Sequence, residues 1–193
     1  MPLIRESIVT TPNVDGSVHV APLGVIVEPP HLVIAPFRPS TTLENLRRAG
    51  AACINYTTDV RIFAGCVTRR RRDWPTVPAD RVAGARLAAA LAHTEVVVQD
   101  VQEDELRPRF RCHAIHEACH APFLGFNRAQ AAVVEAAILV SRLHLLPADK
   151  VMRELGYLQT AVSKTAGEAE LEAWAWIRDT LAAAGIALPA PSG

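Results

Sequence analysis

The chain has 193 residues, half of them hydrophobic, with 20 Lys and Arg set against 20 Asp and Glu. That length can bury a sizeable core, as one medium domain or a domain with a helical appendage. The even charge balance argues against nucleic acid or an anionic membrane as partner. Arg5 and Glu6 interrupt the first apolar residues, and the run 131–140 contains Glu135 and is too short to span a bilayer, so a soluble, cytoplasmic protein is expected. Cys53, Cys66, Cys112 and Cys119 form no CxxC pair, a pattern that suits reduced, mostly buried thiols.

Residues 6–11 and 17–28 read as two strands joined by the turn formers of Pro12-Asn13-Val14-Asp15-Gly16. The second run is interrupted by Ala21-Pro22-Leu23-Gly24, and a proline there predicts an edge or a bulge that leaves N–H groups to a ligand. A third strand is predicted over 31–35, after Pro29-Pro30. The stretch 36–56 then places a short helix between two strands. Thr41 followed by Glu44 predicts a capping box, Leu43 and Leu46 begin an apolar stripe, and Gly50 marks the stop, giving about two turns. Ser40, Thr41 and Thr42 would set three hydroxyls at the positive end of the helix dipole, with Arg38 just upstream: a phosphate site. The plainer alternative is that Thr41 only caps the helix and Arg38 is a solvated loop residue. Residues 51–56 form the fourth strand, and four short strands with one helix between the last two predict a barrel plugged on one side.

Beyond this, a helical turn is expected at 60–64. Arg69 to Arg72 read as a solvated loop, with a clamp for an anionic substrate or cofactor tail as the alternative. The Ala- and Leu-rich run 79–92 predicts a helix. Residues 94–101 alternate as a strand, with Val96, Val98 and Asp100 against Glu95, Val97 and Gln99. A last barrel strand over 107–117 would set Phe110, Cys112, Ala114 and His116 on one side and Arg109, Arg111 and His113 on the other. From Asn127 the pattern is helical: one long helix over 128–145, a shorter one after Pro147, and a last one over 166–184. Ala131, Val134, Ala137, Ile138 and Leu145 fit one buried stripe. The proline-rich tail 188–193 is expected to fray.

His116-Glu117-Ala118-Cys119-His120 matches H-E-x-x-H, which on a helix binds zinc with the glutamate as base and makes a metal-dependent hydrolase. Its neighbours alternate with period two. On a strand His116 and His120 share a face but lie roughly 13 Å apart, so no metal is assigned to the pair. A different cluster drawn from Cys112, His113, His116, Cys119 and His120 is the alternative.

Taken together, residues 18–65 resemble the flavin-reductase-like branch of the FMN-binding split-barrel superfamily. The resemblance rests on His19-Val20-Ala21-Pro22-Leu23-Gly24, Pro29-Pro30, Ser40-Thr41-Thr42, Asn45-Leu46, Gly50 and Asn55. Phe126-Asn127-Arg128-Ala129 leading into an Ala-rich helix is similar to a narrower subgroup. The resemblance implies an α+β fold: an FMN-binding split β-barrel over 1–122 and a helical region over 123–193, packed on the barrel or on a dimer partner. It implies a homodimer with FMN phosphate on Ser40, Thr41, Thr42 and Arg38. Ala21, Pro22, Leu23 and Gly24 would face the isoalloxazine, and Asn45, Asn55, Asn127 and Arg128 would add polar contacts. The implied activity is an oxidoreductase acting on a small, pterin-like substrate, with a non-catalytic flavin carrier or sensor as the alternative. No side chain is assigned as catalytic.

Overall fold

The structure is a computed structural model and describes residues 2–186 and 188. Most of the tail expected to fray therefore lies outside the described residues. In chain order the elements are β1 (Leu3–Pro12), β2 (Val18–Glu28), β3 (His31–Ile34), α1 (Thr41–Ala49), β4 (Ala51–Tyr56), α2 (Val60–Val67), β5 (Thr76–Pro78), β6 (Ala85–Leu87), β7 (Ala92–Gln102), β8 (Arg109–Cys119), α3 (Arg128–Ser141), α4 (Ala148–Thr165) and α5 (Glu168–Ala183). The chain divides into two compact units. One takes the chain through Thr57 and again Asp73–Phe123; the other takes Thr58–Arg72 and the chain from Leu124 onward.

In the first unit the strands close into a barrel in the order β1-β2-β3-β8-β7-β4, with β4 returning to β1. Alternate residues face inward. Val9, Val25, Ile34, Ala52, Ile54, Val96, Phe110 and Cys112 fill the interior together with Leu43 and Leu46 of α1. The helix plugs the barrel, as its stripe of leucines predicts. Its end follows the predicted glycine: Gly50 is left-handed at φ 63° and returns its N–H to the Leu46 carbonyl.

Strand β2 is continuous across the predicted interruption. Pro22 stands in register opposite Ile8 without a bulge. The proline is tolerated because β3 joins β2 only at Ile26, so residues Ala21 to Gly24 have β1 as their one strand neighbour.

Two other predictions are corrected. Residues 79–92 are not a helix: they form a loop, the strand β6, a turn and the first residue of β7, and β6 pairs with β5. Tertiary hydrogen bonds override the alanine-rich propensity. The Asp80, Arg81 and Val82 N–H groups all donate to the Glu95 carboxylate. The Thr10 hydroxyl donates to the Ala85 carbonyl, and the Leu87 N–H donates to the Asn55 side chain. Strand β8 also does not keep one alternation to its end. Val96 pairs with Ala114 but Glu95 pairs with His116, so the register slips at Ile115. Paired residues share a face, and the slip moves His116 from the core-facing set of Phe110, Cys112 and Ala114 to the face it shares with Glu95.

The second unit has its own core of α2, α3, α4 and α5, built on residues such as Val60, Ala64, Val133, Ala136, Val151, Leu155, Trp174 and Ile177. Residues 58–72, numbered with the barrel in the division at 122, cluster here because Val60 and Ala64 face these helices. Helix α3 stops at Ser141, short of Leu145, while α4 is the longer helix at 18 residues. The predicted stripe is also offset. Ala137 is buried, but Ala131 is exposed and Leu145 is 70% exposed, whereas Ala129, Ala132, Val133, Ala136 and Val140 are buried. Ten of the 14 residues of α3 are apolar, so periodicity alone does not select its inner face. No helix among the described residues is long and apolar enough to cross a membrane.

Candidate functional site

Helix α1 opens on three hydroxyls, and the structure sorts them. Ser40, extended at φ −159°, is the N-cap: its Oγ accepts the Leu43 N–H at 3.3 Å. The capping box predicted between Thr41 and Glu44 is therefore replaced by a cap one residue earlier. The exposed Thr41 hydroxyl is thereby released from capping, while Thr42 is buried. The first N–H groups of a helix have no intrahelical acceptor, and the dipole adds partial positive charge.

Arg38 sits just before this helix but is engaged. Its Nη2 donates to Glu103 Oε2 at 2.9 Å, and Arg47 Nη2 donates to both oxygens of Glu103 at 2.8 and 2.7 Å. Arg38, Glu103, Asp104 and Glu105 line an open cleft of about 510 Å³. Its rim is more acidic than the sequence near Arg38 indicates.

Beside α1, Ala21, Pro22, Leu23 and Gly24 are half-buried on the part of β2 that has a single strand neighbour. Leu23 packs against the core cluster that includes Leu43 and Leu46, which ties this stretch to the helix. Gly24 lies under the Ile4 side chain: a Cβ there would come within 2.8 Å of Ile4 Cγ2.

The predicted asparagines are held in internal contacts. Asn45 donates to the Thr11 hydroxyl and to Asn13 Oδ1, tying α1 to the end of β1 and the turn after it. Asn55 is fully buried. Its Nδ2 lies within hydrogen-bond distance of the Ile8 carbonyl, the Thr10 hydroxyl and the Cys53 carbonyl, and its Oδ1 accepts the Leu87 N–H at 2.8 Å. Both read as structural in this geometry. Asn127 caps α3, accepting the Ala129 and Gln130 N–H groups, and Arg128 beside it is exposed. These two belong to the helical unit.

A second constellation lies on the face of β7 and β8 opposite the barrel core. His93 and Glu95 have fully buried side chains, with His93 Nε2 3.1 Å from Glu95 Oε1. Burial pushes the Glu95 carboxyl up, but the Asp80 N–H, the His93 ring and the Arg81 and Val82 N–H groups more than offset it and bring it down to about 2. His116 Nε2 stands 3.3 Å from Asp80 Oδ2, and His120 Nε2 stands 2.9 Å from His93 Nδ1. The H-E-x-x-H residues are thus on strand β8 and just past its end, not on a helix. Glu117 is exposed and interacts with Thr94 at 3.4 Å. Cys112 is buried in the core and Cys119 is exposed. Sequence reasoning missed Asp80, His93 and Glu95. The one available signal was an ionisable residue, Glu95, at the head of the run Val96-Val97-Val98.

The histidine cluster and the mouth of α1 frame the comparisons with known proteins. The fold matches the crystal structure of an FMN-bound protein from Methanosarcina mazei at a TM-score of 0.80 and 19% identity, covering 94% of this chain and 96% of that one. The flavoredoxin of Methanosarcina acetivorans matches at a TM-score of 0.53 and 18% identity, over 65% of this chain and 72% of that one. The 2-nitrobenzoate 2-nitroreductase of Pseudomonas fluorescens matches at 0.51 and 20% identity, over 62% and 66%. No curated protein matches the chain. At these identities the likeness establishes a shared fold. Residues 5–121 match the N-terminal domain, and residues 127–179 the C-terminal part, of a family described as protein of unknown function, DUF447. With both parts matched in order, the chain belongs to the DUF447 family.

Proposed function

We propose that this protein is an FMN-binding flavoprotein acting as an oxidoreductase on a small substrate, with the cofactor seated between the start of α1 and the adjoining stretch of β2. The observation that carries this reading is the N-terminus of α1, where Ser40 takes the cap and leaves the exposed Thr41 hydroxyl and the leading N–H groups to an anion. A phosphomonoester fits this set of donors. Ser40, Thr41 and Thr42 would hold the phosphate. Main-chain groups of Ala21 to Gly24 would bracket the ring system, with Leu23 excluding water behind it. When bound, the isoalloxazine supplies the electron-transfer chemistry.

Arg38 enters this reading through competition with Glu103. Glu103→Ala would release Arg38 and Arg47 together and is expected to tighten FMN about threefold at low salt, on the scale of an exposed ion pair. Flavin fluorescence titration checks this. An unchanged Kd removes Arg38 from the site. A homodimer accords with the exposed apolar side chains of Leu3, Ile4 and Phe37.

The test of the proposal is an absorbance spectrum of freshly purified protein from roughly 300 to 550 nm, followed by identification of the released chromophore. FMN bands that bleach with a reduced nicotinamide are the expected result. FMN bands that no donor bleaches would favour a carrier or sensor. A colourless protein that takes up no added FMN overturns the reading.

A further inference from the structure

The two histidines that the sequence places too far apart to share an ion are joined by a third. His93 of β7 pairs with Ala118, so His116 and His120 flank it diagonally across the strand pair. Its ring lies 5.7 Å from that of His116 and 5.0 Å from that of His120, stacked on the latter. Asp80 comes from the loop before β6, and Glu95 stands two residues beyond His93 on the same face. We propose that this cluster is a binding site for a divalent transition-metal ion, ligated by Asp80, His93, Glu95 and His116, with His120 orienting His93.

Distance supports the ligand set. One ligand atom from each of the four residues lies within 4.8 Å of all the others. A tetrahedral ion with ligands at about 2.0–2.1 Å has ligand–ligand edges of about 3.3–3.4 Å. Two edges already stand near that length, at 3.1 Å for His93 and Glu95 and 3.3 Å for His116 and Asp80. The remaining closure falls on the two side chains with room to move, Asp80 at 59% and His116 at 28% exposure, while His93 and Glu95 are fixed at 0%.

Donor chemistry selects the class of ion. Two imidazole nitrogens with two carboxylate oxygens suit zinc and its first-row neighbours, whereas calcium and magnesium prefer oxygen alone. Two carboxylates also balance a dication. The surroundings resemble the outer shell of a metal centre. His120 Nε2 accepts the His93 Nδ1–H at 2.9 Å in the tautomer that leaves His93 Nε2 as a lone-pair donor toward Glu95, and three main-chain N–H groups hold the Glu95 carboxylate in place. With the tautomers reversed, His120 donates to His93 Nδ1 and His93 Nε2–H donates to Glu95 Oε1, and the ion would take the place of that last proton. The strand slip at Ile115 that turns His116 onto this face is the kind of irregularity that re-aims a side chain at a site.

The proposal is independent of the flavin, and so is its test. Tag-free full-length protein is stripped with a chelator and then titrated with Zn²⁺ or Co²⁺ against a chromogenic competitor, with stoichiometry read by atomic emission. One ion per chain is expected. His116→Ala and Asp80→Asn, both at partly exposed side chains, should each weaken binding at least tenfold, and His120→Gln should weaken it by roughly tenfold through His93. His113→Ala, on β8 but outside the cluster, should bind as the parent does. Zn²⁺ should also raise the Tm of the parent and not that of His116→Ala. Substoichiometric uptake overturns the proposal, as does a Kd no tighter than millimolar, or His116→Ala and Asp80→Asn binding like the parent.

Discussion

Replacing Thr41 with alanine and Thr42 with valine in one protein is expected to weaken FMN binding a hundredfold or more. If Thr41 and Thr42 hold the phosphate, each contributes a hydrogen bond to a charged acceptor, worth about 1.5–3 kcal/mol, and the pair about 3 kcal/mol or more. Valine is chosen at position 42 because that side chain is 3% exposed and its volume must be kept, whereas Thr41 is exposed and alanine leaves no cavity. Ser40 is left in place because its hydroxyl caps the helix, so a change there would confound fold with ligand. Fluorescence titration with FMN reads the affinity, and thermal melting of the flavin-free protein checks that the helix survives. An affinity within twofold of the parent, with the melt unchanged, would remove the phosphate from this helix start.

The second large effect falls on stability. Glu95→Ala leaves the Asp80, Arg81 and Val82 N–H groups without their acceptor and should lower the unfolding free energy by about 4 kcal/mol, given roughly 1.5–3 kcal/mol for each hydrogen bond to a charged group. Glu95→Gln keeps an acceptor oxygen and should fall between the two. The same carboxylate makes the parent acid-sensitive in a defined window. Its folded value is held at about 2 against an ordinary 4.5, so its contribution is fully present above about pH 4.5 and is lost as pH falls toward 2. The loss amounts to about 3 kcal/mol over that window. Urea unfolding at pH 7 and near pH 3 measures both effects. Glu95→Gln should show a smaller difference between the two pH values than the parent, and an equal difference would place the acid sensitivity elsewhere.

What could be read from the residues alone follows from where the determining forces are local. The hairpin of β1 and β2, the glycine stop of α1 and the leucines that plug the barrel are set by turn chemistry and short-range periodicity, and all appear where predicted. The loop and strand over 79–92 were illegible because their hydrogen bonds go to Thr10, Asn55 and Glu95, residues far away in sequence or facing an unforeseen surface. The inner face of α3 was illegible for the opposite reason: with ten of its 14 residues apolar, no narrow stripe stands out. In the candidate site, the hydroxyls of α1 were legible as a group, but the choice of Ser40 as cap depends on a backbone angle. The engagement of Arg38 by Glu103 and the internal roles of Asn45 and Asn55 are contacts between distant segments. The meeting of His93, His116 and His120 depends on a one-residue slip in strand pairing that no side-chain pattern announces.

The loop held by Glu95 separates two demands on one short segment. Its shape is fixed by main-chain donors meeting a single buried acceptor, a bond that does not depend on which side chains the loop carries. The exposed side chains of Asp80 and Arg81 take no part in those main-chain bonds. The segment can therefore change its side chains at these positions, proline excepted, while its main-chain anchorage to the barrel stays the same.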